Sequence, residues 1–130
     1  MIVVDASVVV ELLLRTPDAM RIEERLFAAG EALHAPHLLD VEVTQVIRRY
    51  ERARELTPSQ ATQALDVLIA LPVVRHAHTP LIPRIWVLRA NLTAYDAAYV
   101  ALAEGLNATL LTTDTKLARA RGHSALVELA

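Results

Sequence analysis

Along the 130-residue chain, short apolar runs alternate with longer stretches in which apolar positions recur every three to four residues. That alternation is the signature of a parallel sheet with crossover helices. The runs predict strands over Ile2–Val4, Ala32–Ala35, Val73–His76, Thr109–Leu111 and Leu126–Val127. Between them, Val43, Val46, Ile47 and Tyr50 share one helical face, and Leu81, Ile85 and Leu88 share another. Thr57-Pro58 and Thr79-Pro80 each read as a capping residue followed by proline at the first helical position. Gly30, Gly105 and Gly122 all fall where a helical pattern closes and a left-handed residue is wanted. The expectation is an α/β fold, with residues 1–130 forming one domain free of linkers and repeats.

In such sheets, ligands bind beyond the carboxyl ends of the strands. Asp5 directly follows Ile2-Val3-Val4, and Asp114 follows the Thr109–Leu111 run after two threonines. The pattern therefore delivers two carboxylates to one rim.

Composition changes the picture in three ways. An apolar fraction of 54% is high for a domain of this size, so part of the surface is expected to be covered by another chain. A net charge of −2 gives no overall pull toward nucleic acid, although a basic face can hide inside a balanced sum. The absence of cysteine excludes disulfides and thiolate zinc sites. The N-terminal Met1-Ile2-Val3-Val4-Asp5 has no basic leader, and Asp5 and Glu11 interrupt its apolar run. Neither a signal peptide nor a membrane span is expected, and the chain reads as cytoplasmic.

Four acids have rival readings. Asp5, in Val4-Asp5-Ala6-Ser7, is either a helix cap or a metal ligand supported by the Ser7 hydroxyl. Asp114, in Thr112-Thr113-Asp114-Thr115-Lys116-Leu117, is equally well placed to cap. Asp96 follows Thr93 in a weakened capping box, but its apolar flanks suggest a half-buried carboxylate that a cation would compensate. Glu42 opens a long helix in Leu38-Leu39-Asp40-Val41-Glu42-Val43, where it either favours the helix dipole, with Asp40 capping, or faces a site together with Val46 and Arg49. Several carboxylates drawn together repel unless a divalent cation sits among them, and hard oxygen donors favour magnesium or manganese. Such an ion can activate water and stabilise in-line displacement at phosphorus.

These stretches resemble the PIN-domain ribonucleases, and in particular the VapC toxins of bacterial toxin–antitoxin pairs. The resemblance spans nearly the whole chain. It rests on Val3-Val4-Asp5-Ala6-Ser7, on Glu42 in its helix, on Asn91 to Glu104 with Thr93-Ala94-Tyr95-Asp96 at its centre, and on Leu111 to Leu117. It implies a PIN-like three-layer α/β/α sandwich with a central, mostly parallel sheet of four or five strands. It further implies that Asp5, Glu42, Asp96 and Asp114 form a catalytic, metal-binding quartet supported by Ser7 and Thr112. Magnesium or manganese as cofactor, RNA as substrate, a homodimer and an inhibiting VapB-type antitoxin are likewise implied. Leu117 stands where some relatives carry a further acid or asparagine, which would leave a second metal loosely held.

A polyanion also needs cations. Lys116, Arg119 and Arg49 are the candidate RNA-binding residues. The wider cluster of Arg48, Arg52 and Arg54 reads as a solvated face paired with Glu51 and Glu55. His34, His37, His76, His78 and His123 form no metal motif and read as surface histidines; Trp86 and Phe27 read as core or dimer contacts. Two other acid-after-strand-one classes fit poorly. A phosphoacceptor receiver would want an earlier acid pair, and a haloacid-dehalogenase-type phosphatase would want an Asp where Ser7 stands. The remaining alternative is a catalytically silent PIN-fold module that binds RNA or protein.

Overall fold

The apolar run after Met1 becomes the central strand of a five-stranded, wholly parallel sheet in the computed structural model, which describes residues Met1–Ala130. Strand β1 (Ile2–Val4) is completely buried, which is why it carries no polar alternation. It pairs on one side with β2 (Leu33–Pro36), which pairs with β3 (Val73–His76). On the other side it pairs with β4 (Thr109–Thr112), which pairs with β5 (Val127–Leu129). The order β3-β2-β1-β4-β5 reverses its direction of growth between β1 and β4. A crevice opens at such a switch point, beyond the carboxyl ends of those two strands.

The crossovers between parallel strands, right-handed as a rule, sort the helices into two layers. Helices α1 (Ala6–Leu13), α2 (Ala19–Phe27), α3 (Leu38–Arg52) and α4 (Pro58–Ala70) pack on one another on one face. Helices α5 (Ile82–Val87) and α6 (Ala94–Leu106) cover the other, and the short α7 (Thr115–Arg119) packs on β4 and β5. The three-layer architecture is the one the resemblance implied. Helix α6 is buried continuously from Ala97 to Ala103, because it lies against β1, β2 and β4 and beneath α5. No helix is long and apolar enough to cross a membrane.

The local signals hold unevenly. Thr57 caps α4 in a complete box: Gln60 N–H donates to its hydroxyl at 3.1 Å, and Thr57 N–H donates to the side-chain Oε1 of Gln60 at 2.9 Å. Thr79, by contrast, lies inside a 3-10 turn and caps nothing. Gly30 (φ 64°) and Gly122 (φ 87°) are left-handed, but Gly105 lies within α6, whose left-handed terminator is Asn107 (φ 51°). Asparagine tolerates that conformation better than other non-glycine residues, which displaced the expected stop by two positions. Asp40 does not cap α3. It pairs with Arg75, whose guanidinium also donates to the carbonyls of Leu68, Leu71 and Val73 and so ties β3 to α3 and α4. His34 and His76 are not surface histidines but meet between β2 and β3 at 2.9 Å, while His78 Nε2 accepts the Leu38 N–H. Trp86 and Phe27 are not core residues; Trp86 is 66% exposed and carries the Arg89 guanidinium over its ring.

One ion pair fixes α6 from its far end. Arg84 donates to both oxygens of Glu104 at 2.8 Å, and the amide and hydroxyl of Ser124 donate to the same carboxylate. The Arg84 hydrogen bonds, with those of Ser124, hold the Glu104 carboxyl down to about 2. A depressed folded-state pKa contributes stability above the unfolded value near 4.5 and loses it as pH falls toward the folded one. Glu104→Gln is therefore expected to lower urea-unfolding stability at neutral pH, with the deficit narrowing as pH falls through about 4 to about 2.

Candidate active site

Each acid reaches the crevice by a different local device. Asp5 stands at the boundary of β1 and α1, in extended backbone geometry, yet its side chain makes no cap hydrogen bond. Its Oδ2 instead accepts from Ser7 Oγ at 2.6 Å and from Thr112 Oγ1 at 2.7 Å. Asp5 is 7% exposed and Thr112 fully buried, so the carboxylate and the Thr112 hydroxyl are held by packing, with Ser7 half-buried beside them. The Thr113 N–H donates to Ser7 Oγ, and the Asp114 N–H to Thr112 Oγ1, both at 3.0 Å. Two hydroxyls thus stitch the end of β1 to the end of β4. The capping reading fails for Asp5, whose carboxylate accepts from the hydroxyls of both Ser7 and Thr112 instead.

Asp114 does cap α7: its Oδ1 accepts from Lys116 N–H at 2.8 Å and, at 3.5 Å, from Leu117 N–H. That leaves Oδ2 free to face the cleft, so capping and site roles coexist. Leu117 is buried in the core and offers no donor. Asp96 lies in the first turn of α6, where Thr93 accepts its backbone N–H at 3.2 Å. The Asp96 carboxylate has no protein partner. Glu42 sits in the second turn of α3 and accepts from the Tyr99 hydroxyl at 2.9 Å.

The four acids line one open cleft of about 600 Å³, together with Ser7, Val46 and Arg49. Its mouth is flanked by Val41 and Tyr95, which are 70% and 64% exposed. None of the four carboxylates is ion-paired. Burial pushes the Asp96 carboxyl up, and the charges of Asp5 and Asp114 push it further. Burial also raises Glu42, with Asp5 and Asp96 adding to the shift and the Tyr99 hydrogen bond opposing it. The charges of Asp5, Asp96 and Asp114 thus reach their neighbours across the cleft, although no three of the acids close into a compact ligand cluster.

Two participants escaped the sequence reading. Glu11 also lines the cleft from α1, where its carboxylate accepts from the Thr16 hydroxyl; its place four residues after Ser7 was the available signal. Tyr99, three residues after Asp96, is completely buried, and burial raises its hydroxyl far above the ordinary phenol range. It reads from sequence as core, and only the chain's path shows that its oxygen meets Glu42. Among the cations, Arg49 borders the cleft, whereas Lys116 and Arg119 are exposed on α7 outside its lining. The expected pairing of the arginines in and just after the end of α3 fails, since none of Arg48, Arg49, Arg52 or Arg54 forms an ion pair.

A parallel sheet with acids gathered at its switch point defines the class, and comparison places the chain within it. The PIN domain family profile matches residues 2–122, and the chain belongs to that family. It is 44% identical over 117 residues to Ribonuclease VapC9 of Mycobacterium tuberculosis, covering 90% of this chain and 88% of that one. It is 42% identical over 129 residues to Ribonuclease VapC12 of the same species, covering 99% and 98%. The fold is similar to that of VapBC2 from Rickettsia felis, solved bound to a promoter DNA fragment, with a TM-score of 0.74, 17% identity and 99% and 98% coverage.

Tyr99→Phe keeps the buried ring and removes only the donor to Glu42. The Glu42 carboxyl is expected to titrate higher still in this variant, as read by carboxyl-carbon NMR, because the one interaction that lowers it is gone. An unchanged Glu42 titration would mean that the hydrogen bond does not act on it.

Proposed function

We propose that this protein is a metal-dependent endoribonuclease of the VapC type, a cytoplasmic toxin restrained by a VapB-type antitoxin. The observation that carries the reading is the single cleft shared by Asp5, Glu42, Asp96 and Asp114, each with at least one carboxylate oxygen unclaimed by the protein. Such a donor set, hard oxygens with no cationic side chain bonded to them, fits magnesium or manganese. Asp5, Asp96 and Asp114 would hold the ion, in part through water, with Glu42 at its edge. When bound, the ion supplies charge neutralisation at the phosphate and activation of water.

The chain's own residues divide the remaining work. Ser7 and Thr112 fix the Asp5 carboxylate, so one oxygen is occupied and the other aimed at the cleft. Glu42, pinned through Oε1 by Tyr99 and raised in proton affinity, presents Oε2 to orient the attacking water and take its proton. Arg49 draws the RNA backbone to the otherwise acidic cleft, and Lys116 and Arg119 on α7 guide it from outside. The products are 5′-phosphate and 3′-hydroxyl ends. Val41 and Tyr95 at the mouth offer an apolar landing for an antitoxin segment that covers the acids. The exposed Ile82, Trp86 and Val87 of α5 offer a surface for a second copy, in line with the homodimer that the resemblance implies.

Purified protein is expected to cut a mixed pool of structured RNAs with magnesium or manganese and to stop on addition of EDTA. Asp5→Asn and Asp96→Asn should each fall by more than about a hundredfold, beyond what loss of a merely supporting residue does. Metal-independent cutting, or full activity in either variant, would overturn the assignment.

A further inference from the structure

Helix α3 carries more than Glu42. Glu42, Gln45, Arg49 and Arg52 follow at intervals of three and four residues, so they form one stripe along the helix. Glu42, Gln45 and Arg49 line the cleft; Arg52 and Arg54, together with Glu51, line the shallow depression that follows at the end of the helix. At about 1.5 Å per residue, Arg49 stands about 10 Å and Arg52 about 15 Å beyond Glu42 along the axis. The stripe thus leads away from the acids and turns from negative to polar to positive.

Three observations argue that this arrangement binds a polyanion. Arg48, Arg49, Arg52 and Arg54 are all exposed, and none is ion-paired despite Glu51 and Glu55 close by in sequence. Like charges three and four residues apart on a helix repel, so crowding Arg48, Arg49 and Arg52 together has a cost. The helix dipole favours Arg49 and Arg52 in the last turn and offsets part of that cost, but it does not decide that Arg49 lines the cleft. Arg54 adopts left-handed geometry (φ 60°) just past the helix, as Arg15 (φ 53°) does shortly after α1, so its backbone carries a strain that glycine would relieve.

Resting on the ribonuclease reading, we propose that the α3 stripe is the track of a single RNA strand leaving the cut site. Gln45 meets the nucleotide next to the acids, and Arg49, Arg52 and Arg54 hold successive backbone phosphates beyond it. The track is one helix wide and open on its outer side, which suits a single strand or an unpaired loop. Contact with phosphates gives this surface affinity and register, and leaves choice of sequence to other parts of the cleft.

The test uses the full-length Asp96→Asn protein, to prevent cutting, and a fluorescein-labelled polyuridylate strand, with affinity measured across a salt series. Arg49→Gln and Arg52→Gln, each added to that background, are expected to weaken binding several-fold and to make the log–log salt slope shallower by about 0.7 each. Arg54→Gly is expected to weaken binding likewise while raising the melting temperature, a pair of effects that a purely structural arginine would not show. Unchanged affinity and salt slope in all three variants would overturn the track. Binding of polyglutamate that these variants weaken, with polyuridylate affinity unaffected, would overturn it in favour of an acidic protein partner. In the otherwise wild-type protein, the same substitutions should raise KM for RNA cleavage and leave kcat nearly unchanged. Normal cleavage with unaltered KM would sink the track alone, whereas no cleavage by the wild type would sink the ribonuclease reading and the track with it.

Discussion

Repulsion among carboxylates held in one half-buried cleft is the constraint around which the rest of this structure is arranged. Asp96 is the clearest case, since burial and the charges of Asp5 and Asp114 all work against its ionisation. Glu42 is disfavoured in the same way by burial, Asp5 and Asp96, and relieved only by one tyrosine hydroxyl. Protein interiors rarely hold such a set without a compensating charge. Here the compensation does not come from an arginine or lysine bonded to the acids, and the proposed metal ion is what would supply it.

The fold supplies the rigidity this arrangement needs. Asp5 and Asp114 issue from β1 and β4, neighbouring parallel strands whose ends are joined by the hydroxyls of Ser7 and Thr112. Asp96 rides on α6, whose buried apolar length is anchored distally by Glu104, Arg84 and Ser124. Glu42 rides on α3, which Asp40 and Arg75 tie to the edge strand. Acids that repel are therefore carried on elements that cannot easily separate. Function of this kind draws on stability generated elsewhere in the molecule.

Much of this was legible in the sequence, and the parts that were not share a physical cause. Strand runs, helix periodicity and the acid-after-strand pattern depend on local sequence, so β1, β4 and the rim positions of Asp5 and Asp114 could be read directly. The convergence of Glu42 and Asp96 on that rim depended on a family resemblance, because no spacing rule places a helix across a sheet. What stayed hidden depended on tertiary contact alone: Tyr99 looks like core because its ring is core, and only its oxygen is not. The histidines of β2 and β3 look like surface residues for the same reason, since their pairing requires a strand register that the separate runs do not reveal. The α3 arginines looked paired because acids lie beside them in sequence, yet on the helix those side chains do not meet.

The most direct measurement is thermal unfolding of the wild type and Asp96→Asn at neutral pH, each with and without manganese. A carboxyl whose folded-state pKa is raised stabilises the fold below its unfolded pKa and loses that stability as pH rises through the folded value. At neutral pH the charge on Asp96 therefore works against the metal-free fold. Metal-free Asp96→Asn is expected to melt above the wild type, and manganese to raise the wild type by a larger margin than the variant. A variant that melts lower without metal, with a wild type indifferent to manganese, would contradict the claim that repulsion among these acids is what a cation relieves.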